Sequence, residues 1–323
     1  MNYFIFDNPA DEQSMKFLNE YEINIEQLYP NKQCLSIRNM IEFCNHCISI
    51  SKYDDTLICW YDFMGIITWW LCRFKFKKRK IIILNILLKE KKSIKNKIAH
   101  ILYRLVLNSN NVKATVTSKE YGAVIKKKLR ITKNFTILHD IYHINYKLYK
   151  NIEMEENSIF CGGRNGRDWK FIMELSKLME DVKFNLVMPK NEYEKYSNQF
   201  GNNVNARYDI PFDEYIKELL KSTIVAIPLD TEAPAGLIVF FQAAANNKMI
   251  ISSDTTTTRE YLSQDKGALL NDSLDNWKNT IYFYLNNELK RRECSVRLYD
   301  FLSKECSESN YVKVLNELLK KEK

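Results

Sequence analysis

Short apolar segments alternate with longer amphipathic segments along most of this 323-residue chain. The apolar segments have the length of strands, and the amphipathic ones have the length and spacing of surface helices. Strands that are separated by helices usually pair in parallel, because the helix carries the chain back across the sheet. The pattern therefore predicts an α/β fold in which helices cover parallel sheets.

In the first half of the chain we expect strands at residues 3–6, 56–60, 80–84, 114–117 and 135–138. Helices are expected there at residues 38–48, 64–74, 93–107 and 118–128. After a polar stretch at residues 145–157 the alternation starts again. Further strands are expected at residues 158–161, 182–188, 205–209, 223–228, 248–252 and 267–270. Further helices are expected at residues 167–179, 192–200, 212–221 and 237–246, and the end, 274–323, reads as helical.

The restart predicts two consecutive doubly wound, Rossmann-like domains, since 323 residues suggest two domains rather than one. We expect a first domain over residues 1–148 and a second over residues 149–323.

The net charge of +8 indicates attraction to an acidic partner: nucleic acid, an anionic membrane face or a phosphate-bearing small molecule. No nucleic-acid recognition motif is present, and nucleic acid is not an expected partner. The N-terminus lacks a signal-peptide pattern, so the eight scattered cysteines are expected as reduced, buried thiols in a cytosolic protein. Cys44 and Cys47 have metal-ligand spacing without a second ligand pair, so we interpret them as core residues and expect no metal site.

A glycine pair stands at the end of the first strand of the second half, in "IFCGGRNGRDWKFIMELSKLM". Glycine lets a ligand approach the backbone closely, a helix N-terminus favours anions, and arginine binds phosphate oxygens. Gly162, Gly163 and Arg164 therefore suggest a phosphate site. An ordinary connection between strand and helix would explain the same stretch equally well.

A second informative segment is "AGLIVFFQAAANNKMIISSD" at residues 235–254, which follows the strand "IVAIPL" and precedes "TTTTREYL". This half of the chain resembles the second domain of GT-B glycosyltransferases. It is most similar to the retaining family 4 group, particularly the bacterial members encoded in polysaccharide gene clusters. The residues that carry the resemblance are Pro228, Gly236, Gln242, Ala243, Ala244, Ala245, Asn247, Lys248, Met249 and Glu260.

The resemblance implies two domains that face each other across a cleft, with the C-terminal helices packing back on the first domain. It implies retaining transfer of a sugar from a nucleotide diphosphate sugar, with UDP favoured and with neither a metal ion nor another cofactor. The acceptor would be a polysaccharide or a lipid-linked glycan. The donor site would comprise Gly162, Gly163, Arg164, Arg167, Gly236, Leu237 and Gln242. Arg164 is the residue that we expect to contribute most to catalysis.

The chain departs from the family at two acidic positions. The family has two glutamates eight residues apart, whereas Gln242 replaces the second and Pro234 stands where the first would fall. Glu232 is nearby, in a turn that is one residue longer. A glutamine can still hydrogen-bond a ribose, but a catalytically inactive scaffold that partners another glycosyltransferase is an open alternative. A sugar-nucleotide epimerase is a further one.

On the acceptor side, Asp7, Asp62 and Asp140 each follow an expected strand of the first domain. Ligands bind at the carboxyl ends of strands in open α/β sheets, which makes these residues candidates for catalysis. For any one of them taken singly, capping a turn or a helix is the better explanation. Pro189 and Tyr208 follow strands of the second domain and are candidates for contact with the nucleotide base, although Tyr208 could also be a core residue.

The segment "IITWWLCRFKFKKRK" combines two tryptophans with a dense basic run. Aromatic and basic residues together favour an anionic membrane surface, so we expect peripheral association with the inner face of the cell membrane. The contacts would come from Trp69, Trp70, Arg73, Lys75, Lys77 and Lys78, with Lys91, Lys92 and Lys95. Core tryptophans beside a solvated basic face are the alternative. The sequence leaves the oligomeric state open.

Overall fold

The computed structural model describes residues 1–88, 94–141, 152–263, 265–271 and 273–320, without the side chains of residues 13 and 14. Its described residues form two compact units. The first comprises Met1–Asp140 with Glu308–Lys323, and the second comprises Ile141–Ser307. The expected boundary at residues 148 and 149 lies outside the described residues.

The first unit contains six parallel strands in the order β2-β1-β3-β4-β5-β6. The strands are β1 (Asn2–Ile5), β2 (Glu26–Leu28), β3 (Thr56–Cys59), β4 (Lys80–Ile83), β5 (Val112–Val116) and β6 (Thr136–Ile137). The helices are α1 (Asp11–Met15), α2 (Ile37–Ile50), α3 (Asp62–Phe74), α4 (Ile94–Leu107), α5 (Lys119–Leu129) and, from the end of the chain, α13 (Glu308–Leu319). The Phe17 and Tyr311 rings lie 6.1 Å apart, so α13 packs within this unit.

The second unit contains six parallel strands in the order β12-β11-β10-β7-β8-β9. The strands are β7 (Glu155–Gly162), β8 (Lys183–Met188), β9 (Val204–Tyr208), β10 (Ser222–Ile227), β11 (Met249–Ser253) and β12 (Ala268–Leu270). The helices are α6 (Trp169–Leu178), α7 (Lys190–Tyr196), α8 (Phe212–Lys221), α9 (Leu237–Ala245), α10 (Thr258–Tyr261), α11 (Leu274–Leu285) and α12 (Glu288–Glu305). Both sheets are parallel and covered by helices, which confirms the predicted α/β class.

Alternate residues of the second sheet point into two separate cores. Phe160, Val225 and Ile250 face the helices α8, α9 and α12. Ile159 and Ile224 face α6 and α11. Because both faces of the sheet are covered, its strands are apolar on both sides, and this is why they read as short continuous apolar runs.

Each strand order contains one point at which the direction of winding reverses. In the first sheet, β1 lies between β2 and β3, with Ile5 opposite Cys59. In the second, β7 lies between β10 and β8, with Gly162 opposite Val187. Neighbouring crossover connections leave in opposite directions at such a point, which opens a crevice at the carboxyl ends of the strands. Ligand-binding residues are therefore expected after β1 and β3 in the first sheet, and after β7 and β10 in the second.

All eight cysteines are buried thiols outside any disulfide, and the sequence predicted their burial. Cys44 and Cys47 lie on α2 in the core of the first unit, without any exposed surface. Burial raises the pKa of Cys44 to about 12. In the described part of the chain, no group of three or more His, Cys, Asp or Glu side chains could hold a metal ion.

Trp69 and Trp70 of α3 are half-buried rather than fully exposed. The Trp69 indole N–H donates to Ser109 Oγ at 3.1 Å and to Asn111 Oδ1 at 3.2 Å, which ties α3 to the loop before β5. The most exposed apolar residues of this region are instead Phe74 and Phe76. Lys91 and Lys92 lie outside the described residues. Among the helices that the structure describes, none is both long enough and apolar enough to cross a bilayer.

Candidate functional site

The crevice after β7 and β10 is built around two glycines. Gly163 follows β7 with φ of +129°, and a Cβ there would lie 2.6 Å from Arg167 Nη2. Gly236 precedes α9 with φ of +77°, and a Cβ there would lie 3.2 Å from Arg167 Nη1. Side chains other than hydrogen are strained at such φ values. Both glycines therefore leave room for one guanidinium group between the two strand ends.

Arg167 is buried, with only 5% of its surface exposed. Its Nε donates to the Gly162 carbonyl oxygen at 2.9 Å, whereas Nη1 has no hydrogen-bond partner among the described residues. Burial lowers the pKa of this guanidinium, but arginine stays charged in proteins. Buried polar groups are normally hydrogen-bonded, so an unpaired donor on a buried cation marks a place where an anion can bind.

The N-terminus of α9 lies beside this cation. Gly236 is its N-cap residue, no side chain in the described residues caps the helix, and Leu237 is its first residue. The first N–H groups of a helix have no partner within the helix, and the helix dipole makes that end favourable for negative charge. Arg167 and the start of α9 thus form a candidate anion site at the reversal point of the second sheet.

The strand ends are held in place by backbone contacts across the crevice. Arg167 and Leu229 form an isolated antiparallel bridge, and the Asp168 amide donates to the Pro228 carbonyl oxygen at 3.1 Å. The Asp168 carboxylate in turn caps α6 by accepting from the Phe171 amide at 2.9 Å. These contacts fix the backbone of Arg167, so its side chain is positioned before any ligand arrives.

Arg164 occupies a different environment from Arg167, although only two residues separate them. Its side chain is 77% exposed, and its Nη2 lies 3.3 Å from Asp209 Oδ1. An exposed ion pair of this kind contributes little to stability, so Arg164 is available to a ligand at low cost. The structure places Arg164 at the rim of the crevice and Arg167 within it.

Gln242 and Glu232 lie at or near the two positions where the resembling family has glutamates. Gln242 on α9 is 2% exposed, and its Oε1 has no hydrogen-bond partner among the described residues. Glu232 is exposed, and its carboxylate accepts from the Thr256 amide at 2.9 Å. Glu232 therefore joins the turn before α9 to the threonine turn at residues 255–258, within which the Thr255 amide donates to Thr258 Oγ1 at 2.8 Å.

The two residues that the sequence suggested for contact with the nucleotide base lie at the carboxyl ends of β8 and β9. Pro189 follows β8 and begins α7. Tyr208 ends β9 and is 43% exposed, with its ring 4.7 Å from the ring of Tyr193. Because β8 and β9 follow β7 in the sheet, these residues continue the edge that starts at Gly162.

The first unit has its own cavity at the reversal point of its sheet, with a volume of about 320 Å³. The three candidate aspartates, Asp7, Asp62 and Asp140, all line it, together with Trp60 and Asn85. Burial raises the pKa of Asp7, and it raises that of Asp140 to about 6 although Asn85 Nδ2 donates to Asp140 at 3.2 Å. The Asp62 carboxylate accepts from the Leu87 amide at 3.0 Å, so it also orders the loop after β4.

Asp11 also lines this cavity and was not predicted from the sequence. Its pKa is raised to about 6 by burial and by the charge of Asp7. The sequence signal that could have identified Asp11 is the acidic first turn of the short helix α1, which follows β1. Three carboxyl groups with raised pKa values, in a cavity that Trp60 also lines, can hydrogen-bond sugar hydroxyls and accept a proton.

No protein-family model matches this chain. No curated protein matches its sequence. Several solved structures match its fold over almost the whole length of both chains. Anabaena Alr3699/HepE in complex with UDP-glucose has 10% identity and a TM-score of 0.73, and covers 98% of this chain and 99% of its own. Sucrose-phosphate synthase from Thermosynechococcus elongatus has 11% identity and a TM-score of 0.79, and covers 98% of each chain.

WaaG, a glycosyltransferase involved in lipopolysaccharide biosynthesis, has 11% identity and a TM-score of 0.66, and covers 99% of this chain and 100% of its own. At this level of identity the comparisons establish the fold alone. Two parallel six-stranded sheets covered by helices, in this order along the chain, are the GT-B fold of these glycosyltransferases, as the resemblance implied.

Proposed function

We propose that this protein is a glycosyltransferase that takes a sugar from a nucleotide diphosphate sugar, with UDP as the favoured nucleotide. The observation that carries the proposal is the unpaired Nη1 of the buried Arg167 beside the first turn of α9. A diphosphate has the charge and the acceptor oxygens that this arrangement lacks. The solved complex of HepE, a similar fold, contains UDP-glucose, which supports the choice of donor.

The chemistry that we propose is cleavage of the bond between the sugar's anomeric carbon and the diphosphate oxygen, with a new bond to an acceptor hydroxyl. Negative charge grows on the leaving diphosphate, and donors aimed at that charge lower the barrier. One such donor is worth roughly 2.7–4 kcal/mol in comparable sites. Arg167 and the α9 amides supply these donors from within the crevice, and Arg164 supplies another from the rim.

The remaining donor contacts follow from the order of the strands. We propose that Gly162 and Gly163 let the diphosphate approach the backbone, and that Gln242 hydrogen-bonds the ribose. Pro189 and Tyr208 would contact the base. We further propose a retaining reaction without a metal ion, in which the arginines and helix amides take the place of a cation.

For the acceptor we propose a glycan, either a polysaccharide or a lipid-linked sugar at the anionic inner face of the cell membrane. The cavity of the first unit supports this choice, since Trp60 offers a ring surface and the aspartates offer hydrogen-bond acceptors. Asp7 and Asp140 are the groups that we propose to take up the proton of the acceptor hydroxyl. Asp62 would position the loop that borders the cavity.

One observation favours a second candidate function. Neither family glutamate is present, and Glu232 is engaged with Thr256 rather than free to contact a sugar. A protein that binds the nucleotide without transferring the sugar, and that supports another glycosyltransferase, would have the same diphosphate site. We keep this scaffold function as the alternative.

Two measurements separate the two functions. Calorimetry with UDP, GDP and UMP tests the diphosphate site, and release of UDP from a panel of UDP-sugars tests turnover. The enzyme proposal expects binding of UDP and release of UDP from at least one donor. Binding without release from any donor supports the scaffold function, and absence of binding to every nucleotide diphosphate contradicts both.

A further inference from the structure

Helix α4 has two apolar faces. Its buried residues, Tyr103, Val106 and Leu107, face the core of the first unit. Four further apolar residues are more than half or about half exposed: Ile94, Ile98, Ile101 and Leu105. At about 100° per residue, these four fall within an arc of about 60° on the side opposite the core. An amphipathic surface helix needs only one apolar stripe to pack on its own domain, so the second stripe is available for contact with a binding partner.

The stripe lies in a region of uniform positive charge. The segments 73–80 and 94–107 contain no Asp or Glu. They carry eight exposed cations: Arg73, Lys75, Lys77, Lys78, Lys80, Lys95, Lys97 and Arg104. On the helix, Lys97 and Arg104 flank one side of the stripe and Lys95 the other, at about 100° per residue.

The loop after α3 adds two exposed aromatic rings to this region. Phe74 is 72% exposed and Phe76 is 96% exposed. α3 packs against α4. The loop is also fixed to the end of α4, because Asn111 Nδ2 in the next turn donates to the Arg79 carbonyl oxygen at 2.7 Å. The two exposed apolar elements therefore belong to one side of the first unit.

We propose that this basic–apolar surface, formed by the α4 stripe with Phe74, Phe76 and the eight cations, docks on an anionic lipid bilayer. The apolar side chains would enter the boundary between headgroups and acyl chains, and the cations would contact lipid phosphates. The anchoring residues are thus the α4 stripe and the two phenylalanines, whereas the tryptophans that the sequence suggested help to pack α3. This docking deepens the proposed membrane location, but it does not require sugar transfer.

The positive charge of the basic–apolar surface favours a bilayer over a second copy of the chain as its binding partner. A symmetric pair would bring two sets of eight cations together, and like charges at an interface oppose association. An anionic bilayer offers opposite charge and an apolar interior at the same surface. The structure therefore favours lipid over self-association.

The test is flotation of the full-length protein with vesicles of phosphatidylcholine and phosphatidylglycerol, without any sugar nucleotide. We expect binding at low salt that falls as salt rises, because added ions screen the attraction. Neutralising one contacting cation should lower binding roughly fivefold, and Lys75→Gln with Lys77→Gln roughly 25-fold. The double change Lys290→Gln with Lys304→Gln on α12 of the second unit, where both lysines are exposed, is the charge control and should leave binding unchanged.

The apolar contribution is tested separately. Ile98→Ser with Ile101→Ser, or Phe74→Ser with Phe76→Ser, should lower binding at least tenfold. These side chains are exposed, so the fold should survive the changes. Leu289→Ser on α12 of the second unit, 76% exposed, is the matched control and should bind like the unaltered protein.

A reporter locates the inserted residue. All eight native cysteines are buried, so Phe76→Cys can be labelled selectively with an environment-sensitive dye. Its emission should shift to the blue on anionic vesicles, and the dye on Leu289→Cys should not respond. Arg167→Met should float normally, which separates this surface from the proposed activity.

Three results would overturn the proposal. The first is absence of flotation on anionic vesicles at low salt. The second is flotation that persists after both the apolar and the charge substitutions. The third is a doubled mass in light scattering that the Ile98→Ser and Ile101→Ser changes abolish, which would assign the stripe to a second copy instead.

Discussion

Replacing Arg167 by methionine should weaken nucleotide binding strongly and change the stability of the free protein only slightly. Methionine keeps an unbranched side chain of similar reach and removes the charge. In the free protein the change removes one hydrogen bond from a charged donor, Nε to the Gly162 carbonyl oxygen, worth about 1.5–3 kcal/mol. It also removes a buried unpaired donor, whose desolvation costs about 1–3 kcal/mol. Because these two effects are of similar size and opposite sign, the free energy of unfolding should change by no more than about 1–2 kcal/mol in either direction.

No such compensation applies to nucleotide binding. A hydrogen bond from a charged donor contributes about 1.5–3 kcal/mol, and 1.4 kcal/mol corresponds to a factor of ten in Kd. Loss of one such bond to the diphosphate should raise the Kd for UDP by roughly 10- to 150-fold. The assays are urea denaturation of the free protein and calorimetry with UDP.

Arg291→Met is the matched control, because Arg291 is an arginine whose donors are used. Its Nη1 donates to the Leu285 carbonyl oxygen at 2.7 Å and also to that of Tyr284 at the end of α11. This change should destabilise the protein and leave the Kd for UDP unaltered. If Arg167→Met behaves like Arg291→Met, Arg167 is a structural residue and the reasoning about its unpaired donor is wrong.

Three further predictions concern single positions. Arg164→Ala should raise the Kd for UDP by less than Arg167→Met, roughly two- to fivefold, because the side chain is exposed and solvent screens its charge; calorimetry measures it. Gly236→Ala should destabilise the protein by about 1–3 kcal/mol in urea denaturation, since φ is +77° and the added Cβ would lie 3.0 Å from Ile227 Cγ2. Asp140→Asn should stabilise the protein more at pH 7.5 than at pH 4. The pKa of Asp140 is raised from 3.8 to about 6 in the folded state, so the folded protein holds this proton more tightly than the unfolded chain. The stability of the unaltered protein therefore falls as the pH rises through that window, and urea denaturation at the two pH values measures the difference. Equal effects of this substitution at both pH values would contradict the assigned burial.

The sequence was a good guide to the strands because both faces of each sheet are covered. Residues 222–227 at β10 and 249–253 at β11 are continuous apolar or small runs, and periodicity finds such segments. β2 was missed because its sequence, Glu26-Gln27-Leu28, lacks that signal and lies at the edge of the sheet. The order of the strands was accessible only through the family resemblance, since it depends on which crossover connection leaves on which side.

The different burial of the two arginines could not be predicted from local sequence. Arg164 directly follows the glycine pair and looks like the principal phosphate ligand. Arg167 lies inside because it bridges Leu229, which is 62 positions away in the chain and adjacent only through the pairing of β7 with β10. The exposed stripe of α4 escaped prediction for a related reason, since sequence shows that a helix is apolar on two sides but not which side meets the core.

Three unpaired buried polar atoms belong to segments beside the point where the second sheet reverses its winding. Besides Arg167 Nη1, the Tyr215 hydroxyl and Gln242 Oε1 lack hydrogen-bond partners in the described part of the chain. Tyr215 lies against Gly162, the residue before Gly163, because a Cβ on Gly162 would be 2.8 Å from its ring. Each such group costs about 1–3 kcal/mol in the free protein, a cost that a bound ligand can remove.

We therefore expect UDP to stabilise the second unit more than UMP does. At a concentration one hundred times its Kd, a ligand adds about 2.7 kcal/mol to the stability of the state that binds it. Differential scanning calorimetry should show the transition of the second unit moving to higher temperature with UDP, while that of the first unit stays in place. A shift of the first unit alone, or equal shifts with UMP and UDP at equal concentration, would mean that the unpaired groups around Arg167 do not form a diphosphate site. Because this readout needs no turnover, it holds for the enzyme and the scaffold alike.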